Sequence, residues 1–277
     1  MQPLSPTSPL SHRALGLGLR RTHYDEILNS QPELDYFEII SENFMGSSAH
    51  SQRILQAVAK RFPIVPHGVG LNLLGHEPLR EDYLDSLCRL ADAVDAPFVS
   101  DHLCWTGAHG QCHHDLLPTP FTRDLVGYAA ERAAQVQFRL QRPLALENLS
   151  SYVQFAESEM SEWDFYIKVV RQAGVRFMLD INNVYVSSQN HGFDPKSYID
   201  AIDFSRVVQV HIAGHERLGQ GPIIDTHDHP VADAVWDLYR YAWQRGGPFP
   251  TLLEWDDKIP TLEQTLKELY KARSYQS

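Results

Sequence analysis

Val207-Val208-Gln209-Val210-His211-Ile212-Ala213-Gly214-His215 leads, one glycine-bearing loop later, into Asp225-Thr226-His227-Asp228-His229. A short β-branched apolar run bounded by turn residues reads as a buried strand, and this one finishes on an imidazole. Neutral imidazole and ionised carboxylate are the ligand types that Fe, Mn, Co and Zn take. Taken alone, the stretch also has a plainer account, in which His211 caps a core and residues 225–229 form a solvated loop. What separates the two accounts is whether other strands end in the same way.

Outward from that stretch, short apolar runs recur at 14–19, 36–40, 64–69, 97–102, 143–148, 176–180 and 251–255. Helical patterns fall between most of them, at about 51–62, 80–93, 122–141, 161–174, 195–202, 231–244 and 261–273. Gly174 is placed to end one helix, and Thr261 with Gln264 forms a capping box that opens the last. The strand interiors are continuously apolar rather than alternating, as in parallel strands covered on both faces. Repeated βα units of this kind predict an α/β fold, a TIM-type (β/α)8 barrel in a single domain spanning 14–277. A doubly wound open sheet is the alternative. Residues 1–13, rich in Pro and Ser, read as a flexible N-terminal tail without the apolar region of a signal peptide. Gly16 and Gly18 do not make a dinucleotide fingerprint, because Arg20 and Arg21 follow where a third glycine should open a helix.

Six of the strand candidates end on a residue able to bind metal or move protons: His67, His102, Glu147, Asp180, His211 and Glu254. In a barrel those ends converge on one face, and Asp225 and His227 can reach over the same mouth. So many buried charges repel and are costly to desolvate unless cations compensate them. One Zn takes three or four ligands, so this set exceeds one site and suits two or three metals bridged by a carboxylate such as Glu147. Asn182 or Asn183 is either an amide ligand or a turn residue. His215 and His229 read as ligands, orienting residues or loop residues, while His109, His113 and His114 read as solvent-facing. Cys104 reads as a small buried side chain. Asp101 is placed to orient a neighbouring imidazole through its second N–H, and with Glu147 and His211 it is a candidate catalytic residue. Glu42, Trp105 and Tyr185 are candidate substrate contacts.

Composition narrows the class. A net charge of -11 over 277 residues argues against a nucleic-acid partner, which needs a basic face. No apolar run approaches a membrane span. Three cysteines without a CxxC pair fit a reducing compartment, so the expected location is cytoplasmic.

Several blocks carry a resemblance: GLGLR from Gly16, SENF from Ser41, PHGVGLNL from Pro66, SDHLCW from Ser100, LENLS from Leu146, LDINNVYV from Leu179, VHIAGH from Val210, DTHDHPV from Asp225 and LLEWD from Leu252. Together they resemble the DUF692 or UPF0276 group, the multinuclear non-haem iron-dependent oxidative enzymes, which include methanobactin-biosynthesis oxidases. The resemblance spans about 14–260 and departs nowhere at the ligand positions. It implies a TIM barrel with two or three irons cycling between Fe2+ and Fe3+. It also implies a ligand set of His67, His102, Glu147, Asp180, Asn183, His211, Asp225, His227 and Glu254. The implied reaction is O2-dependent modification of cysteine residues in a ribosomally made precursor peptide, with a small leader-binding partner protein. Two other readings share the barrel: a di- or trinuclear Zn or Mn isomerase or phosphoesterase, and a non-catalytic metal-dependent scaffold.

Overall fold

Eight parallel strands close on themselves, and each begins within a run that the sequence marks as apolar. A computed structural model describes residues 10–108, 111–219 and 221–277, with the side chains of all but 108 and 111–115. The barrel strands are β1 (Leu15–Gly18), β2 (Tyr36–Ile40), β3 (Ile64–Gly68) and β4 (Val99–His102), then β7 (Leu144–Glu147), β8 (Arg176–Asp180), β9 (Val207–Ile212) and β12 (Thr251–Leu253). They are hydrogen-bonded in that order, and β12 returns to β1. The closed sheet settles the choice between barrel and open sheet.

The connecting helices include α2 (Ala49–Ala59), α3 (Glu81–Ala93), α4 (Arg123–Leu140), α5 (Glu162–Ala173), α7 (Pro195–Ala201), α8 (Asp233–Gly246) and α9 (Leu262–Tyr270). Gly174 ends α5 at a φ of 70°, and the Thr261–Gln264 capping box opens α9, as their sequence signals predict. Strand residues alternate between two faces. Phe37, Ile39, Val99, Leu146, Leu179 and Val210 join the helices in one apolar layer. Tyr36, Val65, Phe98, Ala145, Met178 and Leu252 fill the barrel's interior. Gly16 makes room for that plug, since a Cβ there would stand 2.5 Å from the Tyr36 ring. Two residues further along the same inward rows come His67, Glu147, Asp180 and Glu254, so the period that builds the core also lifts the polar set to the C-terminal mouth.

Four features go beyond the pattern that the sequence shows. A short helix α1 (Tyr24–Asn29) follows β1, and a hairpin β5 (Trp105–Ala108) with β6 (Gln111–Leu117) follows β4. A second small pair, β10 (Glu216–Arg217) with β11 (Ile223–Ile224), stands in the loop after β9. Helix α6 (Ile181–His191) begins directly where β8 ends, because the Asp180 side chain caps the Asn183 N–H at 2.6 Å. A strand passing straight into a helix leaves no turn residues to announce it. Of the first 13 residues, 1–9 lie outside the described set, as do His109 and the side chains of Cys112, His113 and His114. Among the described residues no helix is long and apolar enough to cross a membrane.

Tyr166 of α5 ties the helix layer to the sheet: its fully buried hydroxyl donates to the carbonyls of Leu146 on β7 and Met178 on β8. Tyr166→Phe deletes a buried donor, so a loss of about 1–2 kcal/mol is expected. In a chain of this size that is a fall in melting temperature of about 2–8 °C. Thermal denaturation followed by circular dichroism checks it.

Candidate metal centre

Every candidate ligand at a strand end except Glu254 lies in the last two residues of its strand. Glu254 sits one residue past β12, with its N–H still bonded to the Ile212 carbonyl at 2.9 Å. His67, His102, Glu147 and Glu254 line a cavity of about 430 Å³, whose wall also includes Ile40, Val69, Leu116, Leu117 and Leu149; Asp180 and His211 join them through Glu147 and Glu254. Three ligand groups form there: His67, His102 and Glu147; then Glu147, Asp180, His211 and Glu254; then His227, Glu254 and Asp256. Within each group the ligand atoms all lie within 4.8 Å of one another. Glu147 belongs to the first two and Glu254 to the last two, so the groups form a connected row.

The contacts show how Glu147 is shared. Its Oε2 lies 3.3 Å from His67 Nε2 and 3.0 Å from His102 Nε2, while its Oε1 lies 3.2 Å from His211 Nδ1. His211 Nδ1 also stands 3.3 Å from Glu254 Oε2. His227 faces Asp225 through Nε2 at 2.7 Å, and Glu254 and Asp256 through Nδ1 at 3.4 and 3.0 Å. His227 holds a φ of 48°, a left-handed conformation that a non-glycine residue adopts only when its surroundings impose it. Arg20, from the GLGLR block, braces this side: it pairs with Asp256 and stands 3.7 Å from Glu254 Oε1.

The donor set fits metal ions. Among the described residues Glu147 Oε2, Asp180 Oδ2, Asn183 Oδ1, His211 Nδ1 and His227 Nε2 are buried and make no properly directed hydrogen bond. Buried polar atoms are rarely left this way, and these sit among the three groups. Without cations, protons share out the charge. Burial alone would raise Glu147, but His102 and His211 hold its carboxyl well below the usual carboxylate range. Burial would lower His102, yet Glu147 keeps it up at about 9. His211 and His227 are likewise held well above an ordinary imidazole against burial, by Glu38 and Glu147 and by Asp225 and Glu254 respectively. Burial, helped by Glu147 and Asp225, pushes Asp180 up to about 8. Burial lowers His67.

Asn183 lines the cavity, with its amide nitrogen spent on the Asn148 carbonyl at 3.0 Å. Asn182 braces the loop instead, donating to Asp225 Oδ1 at 2.6 Å and meeting His215 Nδ1 at 2.7 Å through its carbonyl. Neither His215 nor His229 lines the cavity, and His229 pairs with Asp228. Cys104 is fully buried.

Four of the sequence candidates stand elsewhere. Asp101 points to the face of β4 opposite His102 and accepts the N–H groups of Leu71 and His102. Among the described residues no ring nitrogen meets it; Ser100 Oγ (3.0 Å) and the Gly68 carbonyl (3.2 Å) hold the Nδ1 atoms of His67 and His102. The expected orienter is therefore corrected from Asp101 to Ser100 and Gly68, because alternation puts 100 and 102 on the inner face and 101 on the outer. Glu42 takes the Val69 N–H at 2.9 Å and the Tyr83 hydroxyl. Trp105 donates to the Pro118 carbonyl, and Tyr185 stacks on His215 and also lines a separate groove with Lys196 and Tyr241. None of these three lines the cavity. Sequence reading missed Glu38, Asp256 and Tyr152. A charge inside the apolar run Tyr36-Phe37-Glu38-Ile39-Ile40, and a carboxylate two residues beyond Glu254, were the available signals.

The fold and this row of ligands define a TIM barrel with a candidate multinuclear metal centre at its C-terminal mouth. The chain belongs to the family described as RiPP precursor modification enzyme MbnB/TglH/ChrH, whose model matches residues 14–277. Its members modify ribosomally synthesised peptide precursors, and the expected DUF692/UPF0276 membership is thereby shown. UPF0276 proteins are similar to it throughout. That of Caulobacter vibrioides (strain NA1000 / CB15N) is 46% identical over 260 residues, covering 94% of this chain and 92% of the relative. That of Acaryochloris marina is 42% identical, covering 94% of each. Among solved structures the chain resembles D-psicose 3-epimerase from Clostridium cellulolyticum, with a TM-score of 0.60 at 12% identity over 95% of this chain and 98% of that one. It also resembles endonuclease IV from Thermus thermophilus, with a TM-score of 0.58 at 18% identity over the same shares. At such identities the likeness is one of fold.

Metal ions need deprotonated ligands and displace protons on binding. With His102 held at about 9 and Asp180 at about 8 in the metal-free chain, zinc binding near neutral pH should release protons. Apparent affinity should then rise as pH climbs from about 6 towards 9. Titration calorimetry in buffers of different ionisation heat checks it; heats that do not depend on the buffer would contradict it.

Proposed function

We propose that this chain oxidatively modifies cysteine residues of a ribosomally synthesised precursor peptide, using two or three iron ions and O2. The single observation that carries the reading is the connected row of ligand groups, set in a chain that matches the peptide-modifying family over residues 14–277. Three groups sharing two carboxylates suit adjacent ions better than one, since one ion of this kind uses about four to six ligands.

In this reading His67, His102 and Glu147 hold one ion, and Glu147, Asp180, Asn183, His211 and Glu254 hold its neighbour. Asp225 and His227, with Glu254 and Asp256, hold a third. When bound, iron supplies one-electron redox chemistry, binds O2 and accepts a cysteine thiolate. The chain's own residues do the rest. Glu147 and His211 keep the two inner positions in register and act as the catalytic centre. The apolar wall formed by Leu116, Leu117 and Leu149 excludes water and gives a peptide backbone a dry surface. Asp101 and Glu42 act at one remove: each clamps an N–H of the segment just beyond His67. Trp105 braces the hairpin that carries Leu116 and Leu117. Tyr185 belongs to an outer groove with Lys196 and Tyr241, where the peptide or a leader-binding partner protein would rest. A reducing cytoplasm keeps both the ferrous ions and the peptide thiols available.

A zinc or manganese isomerase or phosphoesterase is the alternative chemistry, and the metal decides between them. Protein purified without added metal is expected to carry two or three irons per chain by elemental analysis, with a ferrous and ferric mixture in the Mössbauer spectrum. Anaerobically reconstituted protein should then take up O2 only when a cysteine-bearing cognate peptide is added. Stoichiometric zinc or manganese that persists after iron reconstitution would sink the oxidative reading. Glu147→Ala should abolish turnover by at least about a hundredfold; biological output that survived it would favour a scaffold.

A further inference from the structure

We propose that Glu38 is a positioning residue that holds His211 with its proton on Nε2, so that this imidazole presents Nδ1 to the metal centre while His67 and His102 present Nε2. The proposal rests on the reading of the cavity as a metal centre and goes further, to the choice of nitrogen on each ring.

Glu38 is 4% exposed and lies on β2 inside the barrel, in the row that runs from Tyr36 to Ile40. A carboxylate so deep needs donors, and two nitrogens converge on its Oε2. Gln209 Nε2 donates at 2.6 Å, and His211 Nε2 lies at 3.1 Å. The two nitrogens are themselves 2.7 Å apart, a contact in which Gln209 would donate to a bare His211 Nε2; the Glu38 carboxylate oxygen, an acceptor on the other side of that nitrogen, is what sets the proton on Nε2 in this proposal. With Nε2 turned down onto Glu38, His211 Nδ1 is left facing Glu147 Oε1 and Glu254 Oε2 at 3.2 and 3.3 Å, buried and without a hydrogen-bond partner. Three acceptor atoms so close make a place for a cation.

The neighbouring rings are held the other way round. His67 Nδ1 meets Ser100 Oγ and His102 Nδ1 meets the Gly68 carbonyl, which turns both Nε2 atoms to Glu147 Oε2. A neutral hydroxyl and a carbonyl orient those two imidazoles; a carboxylate orients the third. An anion accepting the outer N–H makes the inner nitrogen a stronger donor as well as fixing its tautomer. His211 is then the strongest imidazole donor of the three, in the group that shares Glu147 with His67 and His102.

The test uses the full chain loaded with zinc alone and labelled with 13C and 15N in histidine. The His211 signals are assigned by their loss in His211→Gln. The expected result is a His211 ring with zinc on Nδ1 and a proton on Nε2, read from its 15N and 13Cδ2 resonances, beside Nε2-bound His67 and His102. Zinc on His211 Nε2, or a His211 ring outside the zinc shell while the others are bound, overturns the proposal alone. Failure to bind zinc at all overturns the metal centre with it. Glu38→Gln keeps the size of the side chain and should weaken zinc binding about 10–100-fold and shift the d–d bands of the Co2+-loaded protein. Unchanged affinity and bands, with or without a lower melting temperature, would reduce Glu38 to a packing residue and overturn the proposal. The wild-type spectrum stands even if that variant does not fold.

Discussion

One buried carboxylate is shared among three imidazoles, and the rest of the centre is arranged around it. Glu147 is 1% exposed and turns one oxygen to His67 and His102 and the other to His211. Alone, a carboxylate at that depth would be neutral; what keeps it ionised is positive charge on both sides. Protonated histidines supply that charge in the metal-free chain, and metal ions would supply it more strongly. The outer interactions of the site follow from this requirement. Ser100, Gly68 and Glu38 each occupy the far nitrogen of one ring, so that the near nitrogen is committed to Glu147.

The barrel makes such convergence inexpensive. Strand alternation puts an apolar plug of Tyr36, Phe98, Met178 and Leu252 beneath the ligands, and the next inward residue on several strands is a ligand. Each is carried on rigid backbone, paired on both sides by neighbouring strands. The likeness to an epimerase and to endonuclease IV is intelligible on the same terms. A closed parallel barrel offers a ring of strand ends to any chemistry, and the side chains set there decide which.

The strands and their polar ends were legible because both signals are local. An apolar run finishing in His67, His102 or Glu147 needs no partner to be noticed, and repetition around the chain supplies the convergence. The choice between Asp101 and Ser100 was less accessible. It depends on which face of β4 each occupies and on how β3 lies beside it, and sequence spacing favoured the acidic residue. Glu38 was hidden for a related reason. Its strand reads as plain core, and Gln209 and His211, which give its charge a purpose, lie more than 170 residues away. The helix after Asp180 was masked because one side chain ends the strand and caps the helix at once.

The row of ligand groups is not uniform along its length, and the gradient has a physical meaning. His67 and Glu147 are nearly sealed, whereas the side chain of Asp256 at the other end is 39% exposed. The inner ligands stand on strands; Asp225 and His227 stand on a loop. That loop is pinned by backbone bonds from His227 N–H to the Gly214 carbonyl and from Asp256 N–H to the His227 carbonyl, at 3.1 and 2.9 Å. The half-exposed Tyr152 adds a third pin, its hydroxyl accepting the Asp225 N–H at 3.0 Å. Gly214 is required for the first pin, because a Cβ there would lie 1.9 Å from the His229 carbonyl oxygen. The strained φ at His227 is thus sustained by contacts on both sides rather than by its own preference. A dry, strand-borne pair of ligand groups followed by a wetter, loop-borne one separates the part of the centre that must stay rigid from the part that a large substrate can reach.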